Sequence, residues 1–217
     1  MPDHRAERGR MVERQIAARG VRDPKVLQAM REVPREAFVP PHLVDEAHAD
    51  RPLSIGDGQT ISQPFIVALM LEAAGIGPQD RVLEIGAGSG YAAAVAGRLS
   101  AQVCAVERIG ALAKAARDRL ARLGYDNVEV RQGDGTVGWP GGGAFDVILV
   151  SAAGPEVPGA LLAQLAPGGR LVMPLGERSG PQQLVRLCRT LDGLRQDDLG
   201  IVAFVPLIGA EGFAEDG

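Results

Sequence analysis

Four short stretches of this sequence hold residues whose types and spacing could do chemistry. The first is Val82-Leu83-Glu84-Ile85-Gly86-Ala87-Gly88-Ser89-Gly90-Tyr91, a Glu-x-Gly-x-Gly-x-Gly motif. An apolar run entering a glycine turn lets backbone approach a ligand where a Cβ would clash. The dinucleotide fingerprint needs its third glycine at position 91, where this chain has Tyr91, so the turn suits a nucleoside cofactor without a pyrophosphate to seat. Glu107 follows the next apolar run, 103–106, where a carboxylate can accept both ribose hydroxyls. The plainer alternative is a solvated strand-end residue paired with Arg108. Gly133-Asp134-Gly135 closes a third run; there an acidic side chain can accept from an adenine amino group, although Gly-Asp-Gly is also a common turn.

The fourth stretch is Gln59-Thr60-Ile61-Ser62-Gln63-Pro64. Its hydroxyls have capping-box spacing ahead of a helix opening near Pro64, so either one caps that helix or one is presented to a ligand. No strong general base accompanies them, since His4, His42 and His48 lie outside all four stretches. Cys104 and Cys188 match no metal-ligand spacing and form no disulfide framework, and Cys104 reads as a small buried hydrophobe. No metal site is expected.

These residues need a scaffold that brings strand ends together. The apolar runs 81–85, 102–106, 127–131, 145–150 and 170–174 read as parallel strands covered on both faces. Helices are expected over 64–74, 91–99, 111–123 and 158–165, with Gly124 ending the third. Two further strand-like runs, 183–191 and 199–207, flank a polar turn at Asp192-Gly193 and predict an antiparallel pair. Ahead of residue 50 the chain reads as helical: Met11, Val12 and Ile16 share a face, Gly20 ends that helix, and Asp23-Pro24 opens another towards Val33.

The chain has 217 residues, long enough for one sizeable α/β domain, with 46% hydrophobic and 23% charged residues. Its formal net charge of -4 weighs against electrostatic capture of nucleic acid or an anionic membrane. No apolar stretch approaches the roughly 20 residues of a membrane span, and the N-terminus lacks the apolar core of a signal peptide. A cytoplasmic monomer is expected.

Taken in order, Val33-Pro34-Arg35-Glu36-Ala37-Phe38-Val39, the 59–64 stretch, the glycine motif, Val106-Glu107-Arg108, Gly133-Asp134-Gly135, Gly168-Gly169 and Phe204-Val205-Pro206-Leu207 strongly resemble the bacterial protein-L-isoaspartate O-methyltransferase family. The resemblance implies a Rossmann-like class I methyltransferase: a doubly wound, mostly parallel seven-stranded sheet with an antiparallel strand near the C-terminus, plus an N-terminal helical cover. It implies one methyltransferase domain over 1–217, with 1–55 as the helical segment and 56–217 as the cofactor-binding and catalytic core. The implied cofactor is S-adenosyl-L-methionine. The implied reaction methylates the free carboxylate of L-isoaspartyl residues in damaged proteins, and the ester then collapses to a succinimide that can reopen as aspartate.

By the same resemblance Ser62 matches the catalytic serine, and Thr60 and Ile61 lie beside the cofactor. Glu84, Gly86, Gly88, Ser89, Gly90, Glu107, Asp134 and Gly135 complete the expected cofactor set. An acceptor carboxyl with a pKa of about 3–4 is already ionised at pH 7, so the enzyme's task is alignment and exclusion of water. A serine hydroxyl serves by holding one oxygen while the other attacks. The small residues of 151–158 offer a floor for a peptide acceptor. Gly154 stands where many relatives have alanine or proline, and Ala203 where some carry arginine. Two alternatives share these motifs: a carboxyl methyltransferase dedicated to one peptide or protein, and a non-catalytic cofactor-binding module. A nicotinamide-dependent dehydrogenase fits least, because of Tyr91.

Overall fold

The computed structural model describes residues 4–215. The N-terminal segment is helical but irregular. Helix α1 (Arg5–Met11) runs into a π-helical turn over Val12–Ile16 and a 3-10 turn over Ala17–Arg19, and Gly20 ends it at φ 106°. Helix α2 (Pro24–Glu32) is capped by Asp23, whose side chain accepts from the Lys25 and Val26 amides. Two 3-10 turns, Arg35–Phe38 and Pro41–Glu46, lead to a small hairpin of β1 (Leu53–Gly56) and β2 (Gln59–Ile61). Its turn, Asp57-Gly58, holds positive φ at both residues, the conformation that a tight two-residue hairpin needs. The hairpin was not foreseen, although Asp-Gly is its local signal.

Helix α3 (Pro64–Ala74) then opens the alternating region. It continues as β3 (Arg81–Ile85), α4 (Tyr91–Gly97), β4 (Gln102–Glu107), α5 (Gly110–Arg122), β5 (Val128–Gln132), β6 (Phe145–Val150), α6 (Gly159–Gln164) and β7 (Leu165–Leu175). Strands β8 (Gln182–Thr190) and β9 (Gly193–Val202) complete the large sheet. Its order is β5-β4-β3-β6-β7-β8-β9. Strands β3 to β7 pair in parallel, β8 runs antiparallel to β7, and β9 runs antiparallel to β8. The order turns back at β3, which has β4 on one side and β6 on the other. A crevice therefore opens beyond the carboxyl ends of these strands.

Alternate residues along each central strand enter two separate cores. Val82, Val103, Val147 and Val172 face one, shared with α3, α4, α5 and the N-terminal Met11, Ile16, Met30 and Phe38. Leu83, Cys104, Ile148 and Leu171 face the other, with Trp139 and Leu161. Cys104 is the buried small hydrophobe that its neighbours predicted.

One expected pair is corrected. The first strand and its turn lie where they were placed, but β9 starts directly at Gly193 and ends at Val202, so 203–207 is not part of it. The polar run Arg195-Gln196-Asp197-Asp198 hides the start of this exposed edge strand from an apolar count. At its end Pro206 has no amide to give a ladder. Residues 203–207 cross instead over the sheet end, where Ala153 donates to the Val205 carbonyl at 2.8 Å and Leu207 to the Ala153 carbonyl at 2.7 Å.

Candidate active site

The glycine turn is built where β3 ends. The Gly86 and Ala87 amides both donate to the Val106 carbonyl of β4, at 2.9 and 3.2 Å. Gly86 and Gly88 adopt positive φ, and a Cβ on Gly88 would come within 3.2 Å of Ile55 in the hairpin. The turn thus lies between β4 and the β1–β2 hairpin, with its backbone open to the crevice. Gly90 also has positive φ, but its missing Cβ faces Leu120, 3.2 Å away, and Ala116 on α5. It starts α4 by close packing and is not among the residues lining the cavity.

Two adjoining cavities of about 40 and 100 Å³ follow the turn. Both are lined by Thr60, Gly86, Gly88 and Ser151. The first adds Ile61, Ser62, Glu84 and Ser89; the second adds Glu107, Ile109 and Gly135. The structure thus gathers nine of the eleven sequence-predicted site residues around one bent trench. Gly90 and Asp134 stand outside its lining.

The two carboxylates are held differently. Glu107 Oε2 accepts from the Gly88 amide and Oε1 from the Ile109 amide, both at 2.8 Å. That fixes its rotamer and leaves lone pairs towards the cavity, as a pair of vicinal hydroxyls requires. Glu84 is 1% exposed. Its Oε1 accepts at a long 3.5 Å from Ser151 Oγ, the Ala93 backbone amide also favours its charged form, and its Oε2 has no direct hydrogen-bond partner. Burial, with repulsion from Glu107 behind it, pushes its carboxyl up to about 8. An orphaned carboxylate oxygen in a cavity calls for a cationic ligand group. The donor set therefore fits a molecule with an ammonium at one end and a ribose at the other, which is the chemistry of S-adenosylmethionine.

Asp134 serves the fold around the trench. Its carboxylate accepts from the Thr136 amide at 2.8 Å, the Thr136 hydroxyl at 2.6 Å and the Ala210 amide at 2.8 Å. Burial opposes its ionisation, yet these hydrogen bonds hold it below the usual carboxylate range. It ties the C-terminal segment to the turn that presents Gly135. Residues 205–208 in turn wall the ribose side of the trench, a contribution the sequence reading missed by counting 199–207 as strand. Pro206 was the available signal against that strand.

The capping alternative for Thr60 and Ser62 is also settled by geometry. The N-cap of α3 is Gln63, and no side chain caps the helix. Ser62 instead lines both the Glu84 cavity and a neighbouring groove of about 770 Å³. Phe65, Ile66, Pro181, Ile201 and Phe204 give that groove apolar walls, with Arg19 and Gln63 also on its lining. Thr60 and Ser151 border all three spaces. Gly154, beside the floor, could not carry a Cβ without moving Met173 Cε, 2.6 Å away. Among the described residues no group of three or more histidine, cysteine or acidic side chains could hold a metal ion.

Residues 6–212 match the family described as protein-L-isoaspartate(D-aspartate) O-methyltransferase. Protein-L-isoaspartate O-methyltransferase 1 of Rhodopseudomonas palustris (strain HaA2) is 60% identical over 96% of this chain and 86% of its own length. The enzyme of that description from Methylorubrum extorquens (strain PA1) is 58% identical over 99% of this chain and 94% of its own. A solved protein-L-isoaspartate O-methyltransferase superposes with a TM-score of 0.85 at 31% identity, covering 96% of this chain and 67% of that one. A beta-aspartate methyltransferase from Plasmodium falciparum, solved in complex with S-adenosyl-L-homocysteine, superposes with a TM-score of 0.80 at 26% identity, covering 96% and 99%.

Proposed function

Since this chain belongs to the protein-L-isoaspartate(D-aspartate) O-methyltransferase family and is an S-adenosylmethionine-dependent methyltransferase acting on L-isoaspartyl carboxylates, we propose how its own residues carry out that transfer. The observation that supports the assignment most directly is the position of Ser62, which borders both the Glu84 cavity and the apolar groove. A group reaching both spaces stands where donor and acceptor must meet.

When bound, S-adenosylmethionine supplies a methyl group activated on a sulfonium. Glu84 and the glycine turn would hold its amino-acid end, Glu107 would take the ribose hydroxyls, and Gly135 with residues 205–208 would wall the ribose and base side. Asp134 supports this side by fixing the turn at Gly135. The isoaspartyl side chain would enter from the groove, where the Ser62 hydroxyl would donate to one carboxylate oxygen and leave the other to attack. The serine is a positioner and not a nucleophile; the acceptor is already an anion at pH 7 and needs no base. Apolar walls around the reacting charges strengthen their attraction by lowering the local dielectric.

Damaged proteins and peptides are the proposed acceptors, with the chain acting as a cytoplasmic monomer. No described helix is long and apolar enough to cross a membrane, and one chain supplies every residue of the site. Incubation with radiolabelled S-adenosylmethionine and two peptides differing only in L-isoaspartate versus L-aspartate tests the reading. Base-labile label on the isoaspartyl peptide alone is expected. Ser62→Ala should lower turnover about tenfold or more, the worth of one hydrogen bond to a charged group, while leaving S-adenosylhomocysteine affinity unchanged. Label on neither peptide would point to a dedicated acceptor, and an undiminished Ser62→Ala would remove the serine from the mechanism.

A further inference from the structure

Beneath the Ser62 loop lies a cation that none of the roles above uses. Arg35 is 0% exposed and opens the short turn Arg35–Phe38 in the N-terminal segment. Its Nε donates to the Ala47 carbonyl and its Nη2 to the Ser62 carbonyl, both at 2.8 Å. Its Nη1 has no partner. Its guanidinium carbon lies 4.8 Å from the centre of the Tyr91 ring, which belongs to the first residue after the glycine turn. One planar fork therefore touches the N-terminal segment, the acceptor loop and the helix behind the cofactor turn.

Packing alone does not call for such a group. A buried guanidinium with an unused N–H and no ion-pair partner is costly, and a methionine would fill the same space. Burial duly lowers the Arg35 pKa. What the fork supplies is two fixed directions. The connector from β2 to α3 is only Ser62-Gln63, and α3 starts from the Gln63 carbonyl, which accepts from Ile66 and Val67. The Ser62 carbonyl is thus left outside the helix, and Pro64 has no amide to offer the connector. The guanidinium secures that carbonyl while lying against the Tyr91 side chain of the cofactor-side helix.

Resting on the reading of Ser62 as the group that holds the acceptor, we propose that Arg35 is a positioning residue for methyl transfer, fixing the Ser62 backbone relative to the cofactor turn so that the hydroxyl meets the acceptor in line. Lysine cannot replace it, because a point charge reaches one carbonyl where the fork reaches two.

Arg35→Lys, Arg35→Met and Arg35→Gln are made in the full chain, each alone and combined with Ser62→Ala. Turnover of an isoaspartyl peptide, its KM and the Kd for S-adenosylhomocysteine are measured for all. Each single Arg35 variant should lose roughly ten- to a hundredfold in kcat, the cost of a misplacement of about 1 Å, with the Kd within about twofold of wild type. In the Ser62→Ala background the same Arg35 change should cost less than about threefold, because the hydroxyl it places is gone. Equal losses in both backgrounds, or a loss mirrored in the Kd, would reduce Arg35 to a structural brace and overturn the proposal. A Ser62→Ala single variant with full turnover would instead sink the reading of Ser62 itself, and the proposal with it. Should the methionine variant fail to fold, the lysine and glutamine variants, each able to donate to one carbonyl, complete the cycle.

Discussion

Glu84→Gln should make the empty protein more stable and the loaded protein weaker, with both effects growing as pH rises. Glu84 is 1% exposed, has one unpartnered oxygen, and has its carboxyl pushed from 4.5 up to about 8 by burial and then by Glu107. A carboxyl whose folded pKa lies above its unfolded value favours the folded state in its neutral form. That contribution is complete below about pH 4.5 and is lost as pH rises through 8. At 1.36 kcal/mol per pH unit, wild type gives up about 5 kcal/mol between pH 4.5 and 8 on account of this one group. Glutamine has the same shape and cannot ionise, so it removes that slope. For a chain of this size about 5 kcal/mol corresponds to roughly 10–20 °C in Tm.

The loaded state should respond in the opposite sense. An ammonium facing Glu84 supplies its missing partner and favours ionisation, so wild type should release a proton on binding. Losing a hydrogen bond between charged groups costs about 1.5–3 kcal/mol, or roughly ten- to a hundredfold in Kd. Thermal unfolding of both proteins at pH 6 and 8, with and without S-adenosylhomocysteine, checks the stability claim. Calorimetry in buffers of different ionisation enthalpy checks the proton. The reasoning is refuted if the two empty proteins keep the same Tm difference at both pH values, or if the variant binds with wild-type affinity and proton release.

Three further outcomes follow from the same geometry. Glu107→Gln should weaken S-adenosylhomocysteine roughly tenfold or more, because it removes the charge that meets the Gly88 and Ile109 amides and is proposed to take the ribose; titration calorimetry measures it. Gly90→Ala should cost about 1–3 kcal/mol in denaturant unfolding, from the φ of 85° and the 3.2 Å approach to Leu120, with activity per folded molecule unchanged because Gly90 lies outside the trench lining. Glu36 resists its burial through hydrogen bonds from His48 and Arg8, which hold its carboxyl down at about 2. Its contribution is present above pH 4.5 and lost as pH falls through 2, so Glu36→Gln should flatten acid unfolding over that window by about 2–3 kcal/mol, the full shift reduced for solvent screening at this partly exposed site.

How much of this was legible in the sequence depends on how local the cause is. The parallel strands could be read because residues buried on both faces must be apolar, and Val82 and Leu83 duly enter opposite cores. The glycine turn could be read because close backbone approach excludes a Cβ. Gly90, in the same motif, obeys a different constraint, set by Leu120 on a helix that local spacing cannot place. Position after a strand points Asp134 at a base, and it cannot tell that the same carboxylate also ties down Ala210, 76 residues away. Strand β9 was misplaced because edge strands do not need the apolar pattern that marks central ones.

Glu84 and Glu107 show most sharply where sequence reasoning stops. Both are glutamates near the carboxyl ends of adjacent strands in one sheet, and spacing gives them similar roles. The fold gives Glu107 two backbone amides and leaves one oxygen of Glu84 with none. The first is therefore preorganised before any ligand arrives, whereas the second is completed only by one. Arg35 and Ser62 repeat the contrast on the proposed acceptor side: the guanidinium donates to the Ser62 carbonyl, and the hydroxyl is the group proposed to meet the substrate. A reaction that needs alignment and little acid–base chemistry is served by this division. Protein groups fix one another's backbones, and the few side-chain atoms left unpaired mark where the two reactants must complete the structure.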